Sequence, residues 1–371
     1  MVYLGFAFNF NVQRCEIEVG DEHQIIDQGY RPLVELFEKH QMKANSFLSG
    51  FTSQLLQAQA PDLFEKMQAI SGKVFSYGTY TYTHPIPQLL KKEEFVRQMR
   101  KGMEIDRELL KEETVGFLPP EFAYSEMMGE VLEEEGITWF IALASQIEKA
   151  LKSAHITRDP YHPYTVRMAN KKSLIAIPAV YQLPDNPQRF LKLMMKGEVS
   201  VDTVIEGVKK FAKEHPNSLL LFKRDGETIF IDKFNSGFEG TYEVMDEFLG
   251  KLSKLDCVQP AFIEDSLSLL DTEHEIFLPD YLGNTKIETF TEGEAKEIWE
   301  DTQIIRDRLI SAPSSPVTEQ AWEHLLLSHN SDGRIGYWHS EWNPGEHLVA
   351  PTRRQFIEDN LAAAKALLGE E

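Results

Sequence analysis

Cysteine is nearly absent from this chain. Its 371 residues include two, Cys15 and Cys257, in no CxxC pair, so the sequence offers neither a disulfide framework nor a thiolate zinc site. Basic residues are scarce beside acidic ones: 38 Lys and Arg against 59 Asp and Glu give a formal net charge of −21. A phosphate backbone or an anionic bilayer surface is recognised by clustered Lys and Arg, so neither nucleic acid nor a membrane is the expected partner. A neutral substrate such as a sugar, or a cationic one, agrees better with that charge. No apolar run reaches the roughly 20 residues of a membrane span. The apolar start, Met1 to Phe10, lacks a basic leader region and a small-residue cleavage site, and reads as a strand. A soluble cytoplasmic protein is the expectation.

The chemistry-bearing signatures are also sparse. The eleven histidines form no HxH, HExxH or Asp-His-His grouping, so no metal is expected. His155, His162, His339 and His347 read as surface or hydrogen-bonded residues. No GxGxxG follows the first strand and no GxSxG marks a nucleophilic serine. No cofactor is expected either. The sequence sets no oligomeric state.

What is present is ordinary globular composition, 42% hydrophobic and 26% charged, in short apolar runs that alternate with longer amphipathic stretches. The runs predict strands at Tyr3–Phe10, Ala44–Leu48, Lys73–Gly78, Thr114–Leu118, Thr138–Ala142, Leu174–Ala179 and Leu219–Lys223. Between them, helical spacing covers Pro32–His40, Pro61–Ile70, Glu93–Leu110, Ser125–Glu135 and Ser200–Glu214. Strand and helix in alternation imply a parallel sheet, and seven such strands suit a closed or nearly closed barrel. After about Leu255 the texture becomes mostly helical, with helices at Glu292–Leu309, Glu319–Ser328 and Arg354–Leu368.

Function in parallel α/β barrels collects where strands end, so polar residues just after apolar runs are the candidates. Asn9 and Asn11 end the first strand. Tyr80, Tyr82 and His84 follow the third. Glu121 follows the fourth in Gly116-Phe117-Leu118-Pro119-Pro120-Glu121, where two prolines stiffen its approach. The same residues also read as a helix start with an acid at its positive end. Asp225 and Glu227 follow the last strand in Asp225-Gly226-Glu227, which equally reads as an ordinary Asp-Gly turn. Two carboxylates from different strand ends are the minimum equipment for glycoside chemistry: one attacks the anomeric carbon and the other handles the proton.

These motifs, in this order, resemble glycoside hydrolase family 57, whose members act on α-glucans. The segment Gly116 to Tyr124 is similar to the family's nucleophile motif, and Asp225-Gly226-Glu227 to its acid/base motif. Ser71 to Val74 followed by Thr83-His84-Pro85-Ile86 resembles a substrate-site strand. Asn330-Ser331-Asp332-Gly333 with Tyr337-Trp338 resembles the last motif, which reaches from a helical domain back to the active site. The resemblance implies an irregular seven-stranded (β/α) barrel over residues 1–255 and a mostly helical domain over 256–371. It implies a retaining double displacement on an oligosaccharide or polysaccharide, with Glu121 as nucleophile and Asp225 as general acid/base. Asn9, Asn11, His84, Glu227, Asp332 and Trp338 would bind substrate, without metal or cofactor.

Two departures stand out. The family's opening histidine pair is here Asn9-Phe10-Asn11, which can hydrogen-bond but cannot carry a proton. Its third-strand glutamate would fall at Phe75. Alternation also places Lys223 on the face of Asp225, where a cation opposes the raised pKa an acid requires. A carbohydrate-binding or regulatory protein on a degenerate barrel is therefore a second expectation. A polysaccharide deacetylase on a related barrel would need the Asp-His-His set that the sequence lacks.

Overall fold

In a computed structural model, the structure describes residues 1–12, 22–111, 113–179, 191, 193–226, 229–230, 241–283, 286–334 and 353–369. Seven parallel strands make the frame. They are β1 (Val2–Phe10), β2 (Ala44–Leu48), β3 (Phe75–Thr79), β4 (Gly116–Phe117), β6 (Trp139–Leu143), β8 (Ser173–Ala179) and β9 (Leu219–Asp225). All seven predicted strands are present. The parallel order runs β9-β1-β2-β3-β4-β6-β8. β8 lies against β9 with no ladder between them among the described residues, so the barrel is nearly closed, with one seam. Five shorter strands are also present: β5 (Ala123–Tyr124), β7 (Tyr164–Arg167), β10 (Val258–Pro260), β11 (Glu275–Ile276) and β12 (Tyr281–Leu282). β10 pairs with β1, β7 antiparallel with β8, and β11 with β7, while β12 and β5 form a separate two-stranded ribbon.

The strands are apolar on both faces because both faces are covered. In β1 the even positions Leu4, Phe6, Phe8 and Phe10 meet the surrounding helices, where Phe37 sits edge-on to Phe6 at 4.9 Å and to Phe8 at 5.1 Å. The odd positions turn inward, and Ala7 joins Phe47, Trp139, Ile141, Ile177 and Leu221 to fill the barrel. Space inside is tight. A Cβ on Gly116 would overlap the Trp139 indole, so this strand position passes only as glycine. The same alternation puts Asn9, Lys223 and Asp225 on the inner face at the strand ends.

The predicted helices are present with small shifts of boundary, for example Lys92–Leu110 and Val201–Glu214. Side-chain caps fix several starts: the Ser125 hydroxyl accepts from Met128 N and the Ser200 hydroxyl from Thr203 N. Residues 296–367 add Lys296–Ser311, Pro316–Leu327 and Arg353–Leu367, packed through Ile305, Trp322, Leu325, Ile357 and Leu361. This helical layer sits on the barrel, where Glu94 of the Lys92–Leu110 helix meets Arg306 Nε at 2.5 Å and His329 Nε2 at 2.9 Å.

Phe75 is not a cleft residue. It opens β3 at the end away from the cleft and on the helix-facing side, stacked on Phe37 at 6.0 Å. Placing the third-strand glutamate position there errs in both end and face, since a shift of one residue in a strand exchanges its faces.

Candidate active site

The cleft lies at the carboxyl ends of the parallel strands. Parallel pairing of β1 with β9 sets Asn9 beside Asp225, and Asn9 donates to the Asp225 carboxylate. Asn9 is 4% exposed, and its Oδ1 has no partner among the described residues. Lys223, one inward position earlier on β9, brings Nζ to 2.9 Å from Asp225 Oδ1 and lies 5.0 Å from the centre of the Phe122 ring. Alternation of the strand therefore delivers both the acid and its cation to one face.

A second group surrounds His84. Asn11 Nδ2 donates to Asp332 Oδ2 at 2.8 Å and lies 3.2 Å from His84 Nδ1. His84 Nδ1 also meets the Ser331 hydroxyl at 2.8 Å and Asp332 Oδ2 at 3.5 Å, while its Nε2 meets the Tyr80 hydroxyl at 2.5 Å. Asn11 N donates to the buried Tyr30 hydroxyl at 3.0 Å, fixing the chain as it leaves β1. The segment that carries Asp332 is anchored to the loop after β3. Asn330 Nδ2 donates to Thr83 O at 3.0 Å, Ser331 N donates to His84 O at 3.0 Å, and Gln98 bridges Thr83 Oγ1 and Leu326 O.

Glu121 follows β4 through Pro119 and Pro120. The helix-start reading is half right: Pro120–Phe122 form one short turn, but Glu121 and Phe122 both have φ of +54°. Thr81 and His84 have φ of +65° and +57°. Four left-handed non-glycine residues thus cluster at the cleft, each costing on the order of 1–3 kcal/mol that the surrounding contacts must offset. Elsewhere such residues end helices, as Gln41 and Lys111 do, or sit in turns, as Lys171 does between β7 and β8.

The two carboxylates sense one another and differ in charge. Burial raises the Glu121 carboxyl; His84 and Lys223 oppose the rise, Asp332 and Asp225 add to it, and the result is about 7. Burial also raises Asp225, but Lys223, Arg224 and the hydrogen bonds from Lys223 and Asn9 outweigh it and hold the carboxyl at about 2. At neutral pH the cleft therefore offers one carboxyl near its midpoint and one firm carboxylate.

The structure brings together Asn9, Asn11, His84, Glu121, Asp225 and Asp332. Glu227 and Trp338 lie outside the described residues. Tyr30, Tyr80 and Ser331 were not among the expected binding residues. Tyr80 stands among the strand-end candidates and Ser331 within the Asn330–Gly333 motif, whereas Tyr30 reaches Asn11 from a helical segment with no local signal. Among the described residues, no group of three or more His, Cys, Asp and Glu is placed to hold a metal ion, and no helix is long and apolar enough to cross a membrane.

The glycosyl hydrolase family 57 model matches residues 11–275. No curated protein matches the sequence. Among solved structures, the chain is similar to a 4-α-glucanotransferase from Thermococcus litoralis, with a TM-score of 0.75 and 17% identity, covering 100% of this chain and 61% of that one. It is similar to a branching enzyme from Pyrococcus horikoshii, with a TM-score of 0.74 and 13% identity over 97% of this chain and 88% of the other. An α-amylase from Thermotoga maritima gives 0.66 and 11% over 99% and 94%. At these identities the likeness is one of fold.

Proposed function

The chain belongs to glycosyl hydrolase family 57, and from that membership we propose an enzyme that cleaves or transfers α-glucosidic bonds by retaining double displacement with Glu121 and Asp225. The observation that carries this reading is the pair itself. Two carboxyls from the ends of β4 and β9 settle at opposite ends of the carboxylate range, about 7 and about 2. Divergent pKa values within one cleft are how acid and base roles are divided, and in the unliganded cleft their order is the reverse of the one a Glu121 nucleophile and an Asp225 acid require. Asn9 Oδ1, buried and without a partner among the described residues, is an acceptor suited to a sugar hydroxyl. Residues 1–255 carry both carboxylates, and residues 256–371 supply Asp332.

In the reaction, the Glu121 carboxylate attacks the anomeric carbon as Asp225 gives its proton to the departing oxygen. Asp225 then takes a proton from water, or from an acceptor sugar hydroxyl, which attacks the same carbon and releases Glu121. In the unliganded cleft the proton rests on the other member of the pair, because Lys223 holds Asp225 ionised. Substrate entry must separate Lys223 from Asp225 before Asp225 can serve as acid. Turnover of maltooligosaccharides by wild type and Glu121→Gln tests the assignment: a fall on the order of 10²–10⁴-fold is expected, and equal rates would overturn it.

The ion pair also favours a second reading, a carbohydrate-binding or regulatory protein that binds sugar without turning it over. Reproducible turnover that disappears in Asp225→Asn removes this alternative.

A further inference from the structure

Glu121 is held by more than its own segment. The ribbon strand β5 begins two residues later and pairs antiparallel with β12, Tyr124 opposite Tyr281 and Ala123 opposite Leu282. Gln88 clips the two strands together, its Nε2 donating to Tyr124 O at 2.7 Å and to Tyr281 O at 2.5 Å. Leu282 packs with Ile86, Leu89, Ala123 and Phe290, so the ribbon has an apolar anchor of its own.

The chain leaves β12 through Gly283, with φ of +55°, directly against the backbone of Glu121. A Cβ there would overlap the Glu121 carbonyl oxygen and stand 3.3 Å from its carbonyl carbon and 3.8 Å from its Cβ. The neighbour is backbone, which cannot rotate aside as a side-chain tip can. Other left-handed glycines are different: Gly136, Gly197 and Gly293 would meet nothing within 4 Å. Gly283 therefore needs to be glycine for two separable reasons, its φ and its contact, and only the contact concerns the cleft.

We infer that Gly283 is a positioning residue: the missing side chain lets the ribbon close on the Glu121 backbone and hold the carboxylate at its place in the cleft. The inference rests on the catalytic reading of Glu121 for its consequence, though not for its geometry. A side chain at position 283 pushes the Glu121 turn away from the ribbon. A displacement near 1 Å in a catalytic group can lower turnover on the order of 10²-fold.

Three substitutions separate the two reasons. Gly293→Ala carries the left-handed backbone cost at φ +58° without any contact. Gly283→Ala carries both, and Gly283→Asn carries the contact with less backbone cost, since asparagine tolerates this region. Turnover of maltoheptaose and titration of the Glu121 carboxyl are followed together, the second by carbon NMR of labelled glutamate with Glu121→Gln for assignment. The expected result is a folded Gly293→Ala with kcat within twofold of wild type. Both Gly283 variants should lose kcat about 10²-fold with KM changed much less, and their Glu121 titration should move from about 7 towards the ordinary glutamate range.

Wild-type kcat and an unmoved titration in both Gly283 variants would overturn the inference, as would equal losses in Gly293→Ala. A shifted titration with unchanged turnover upholds the positioning and instead removes Glu121 from the chemistry. Should the Gly283 variants fail to fold, Gln88→Met decides: it loosens the clip without adding a Cβ against Glu121, and an unmoved Glu121 titration there counts against the ribbon.

Discussion

Glu94, fully buried at the junction of barrel and helical layer, and Glu121, half-buried in the cleft, are the same residue type, yet they ionise in opposite directions. Burial raises Glu94 as well, but His329 and Arg306 outweigh it and hold the carboxyl at about 2. Three groups share its charge: Arg306, whose Nε forms an ion pair at 2.5 Å, His329 Nε2 at 2.9 Å and Lys91 N at 2.7 Å. Glu121 senses His84 and Lys223 on one side and the acids Asp332 and Asp225 on the other, and stays near 7. Asp106 isolates the effect of burial alone. It is fully buried between helices, where the Ser53 hydroxyl at 3.3 Å is its one side-chain partner among the described residues, and its carboxyl is pushed well above the ordinary range. Partners, rather than depth, decide whether a buried acid is fixed in charge or free to exchange a proton. The junction fixes; the cleft exchanges.

The comparison can be broken first at the junction. Glu94→Gln leaves Arg306 buried without its anion and should destabilise the fold by about 3–5 kcal/mol, whereas Glu121→Gln should cost little stability while lowering turnover on the order of 10²–10⁴-fold. Chemical denaturation of both variants checks this; equal stability losses would erase the distinction. The pH dependence sharpens it. Glu94 is lowered from 4.5 to about 2, so its contribution is present above the ordinary value and lost as pH falls through that window. His329, lowered to about 4 by burial, must gain a proton on unfolding below its usual range, and weakens the junction in the same acid direction. Glu121 is raised from 4.5 to about 7, so its stabilising protonated form is lost as pH rises through that interval. Glu94→Gln should flatten the acid limb of a stability curve, and Glu121→Gln the limb between 4.5 and 7.

A smaller effect is expected at Lys223. Replacing it by Met removes the cation paired with Asp225 and should raise Asp225 by about 1–3 pH units. If Asp225 is the acid, activity should then persist to higher pH. A variant that loses activity at every pH, while still binding maltoheptaose, would instead make Asp225 the attacking carboxylate. Smallest of all should be Asp106→Asn. It should match wild-type Tm near pH 4 and exceed it by a few degrees near pH 8, because the native carboxyl must ionise without a cation as pH rises.

The frame was legible because each barrel strand is a short apolar run covered on both faces, and Ala44–Leu48 was placed without error. Inner and outer faces were legible too, since period-2 alternation alone puts Lys223 on the face of Asp225. The ribbon was not. Two residues per strand carry no periodicity, and Tyr281–Leu282 meet Ala123–Tyr124 from far along the chain. His329 was likewise opaque. Scattered histidines read as surface or hydrogen-bonded, but this one finds its carboxylate 235 positions away and is 2% exposed. Phe75 shows the remaining risk: a motif placed by order alone can land on the wrong end and face of its strand.

The bond from Asn11 to Asp332 spans 321 residues. Ribosomes add about 5–20 residues per second, so on a nascent chain Asn11 waits roughly 16–64 s for the acid it will hold. Until then His84 lacks Ser331 and Asp332 as well. The cleft is thus finished late in synthesis, and growing chains that already carry both Glu121 and Asp225 still lack a complete site.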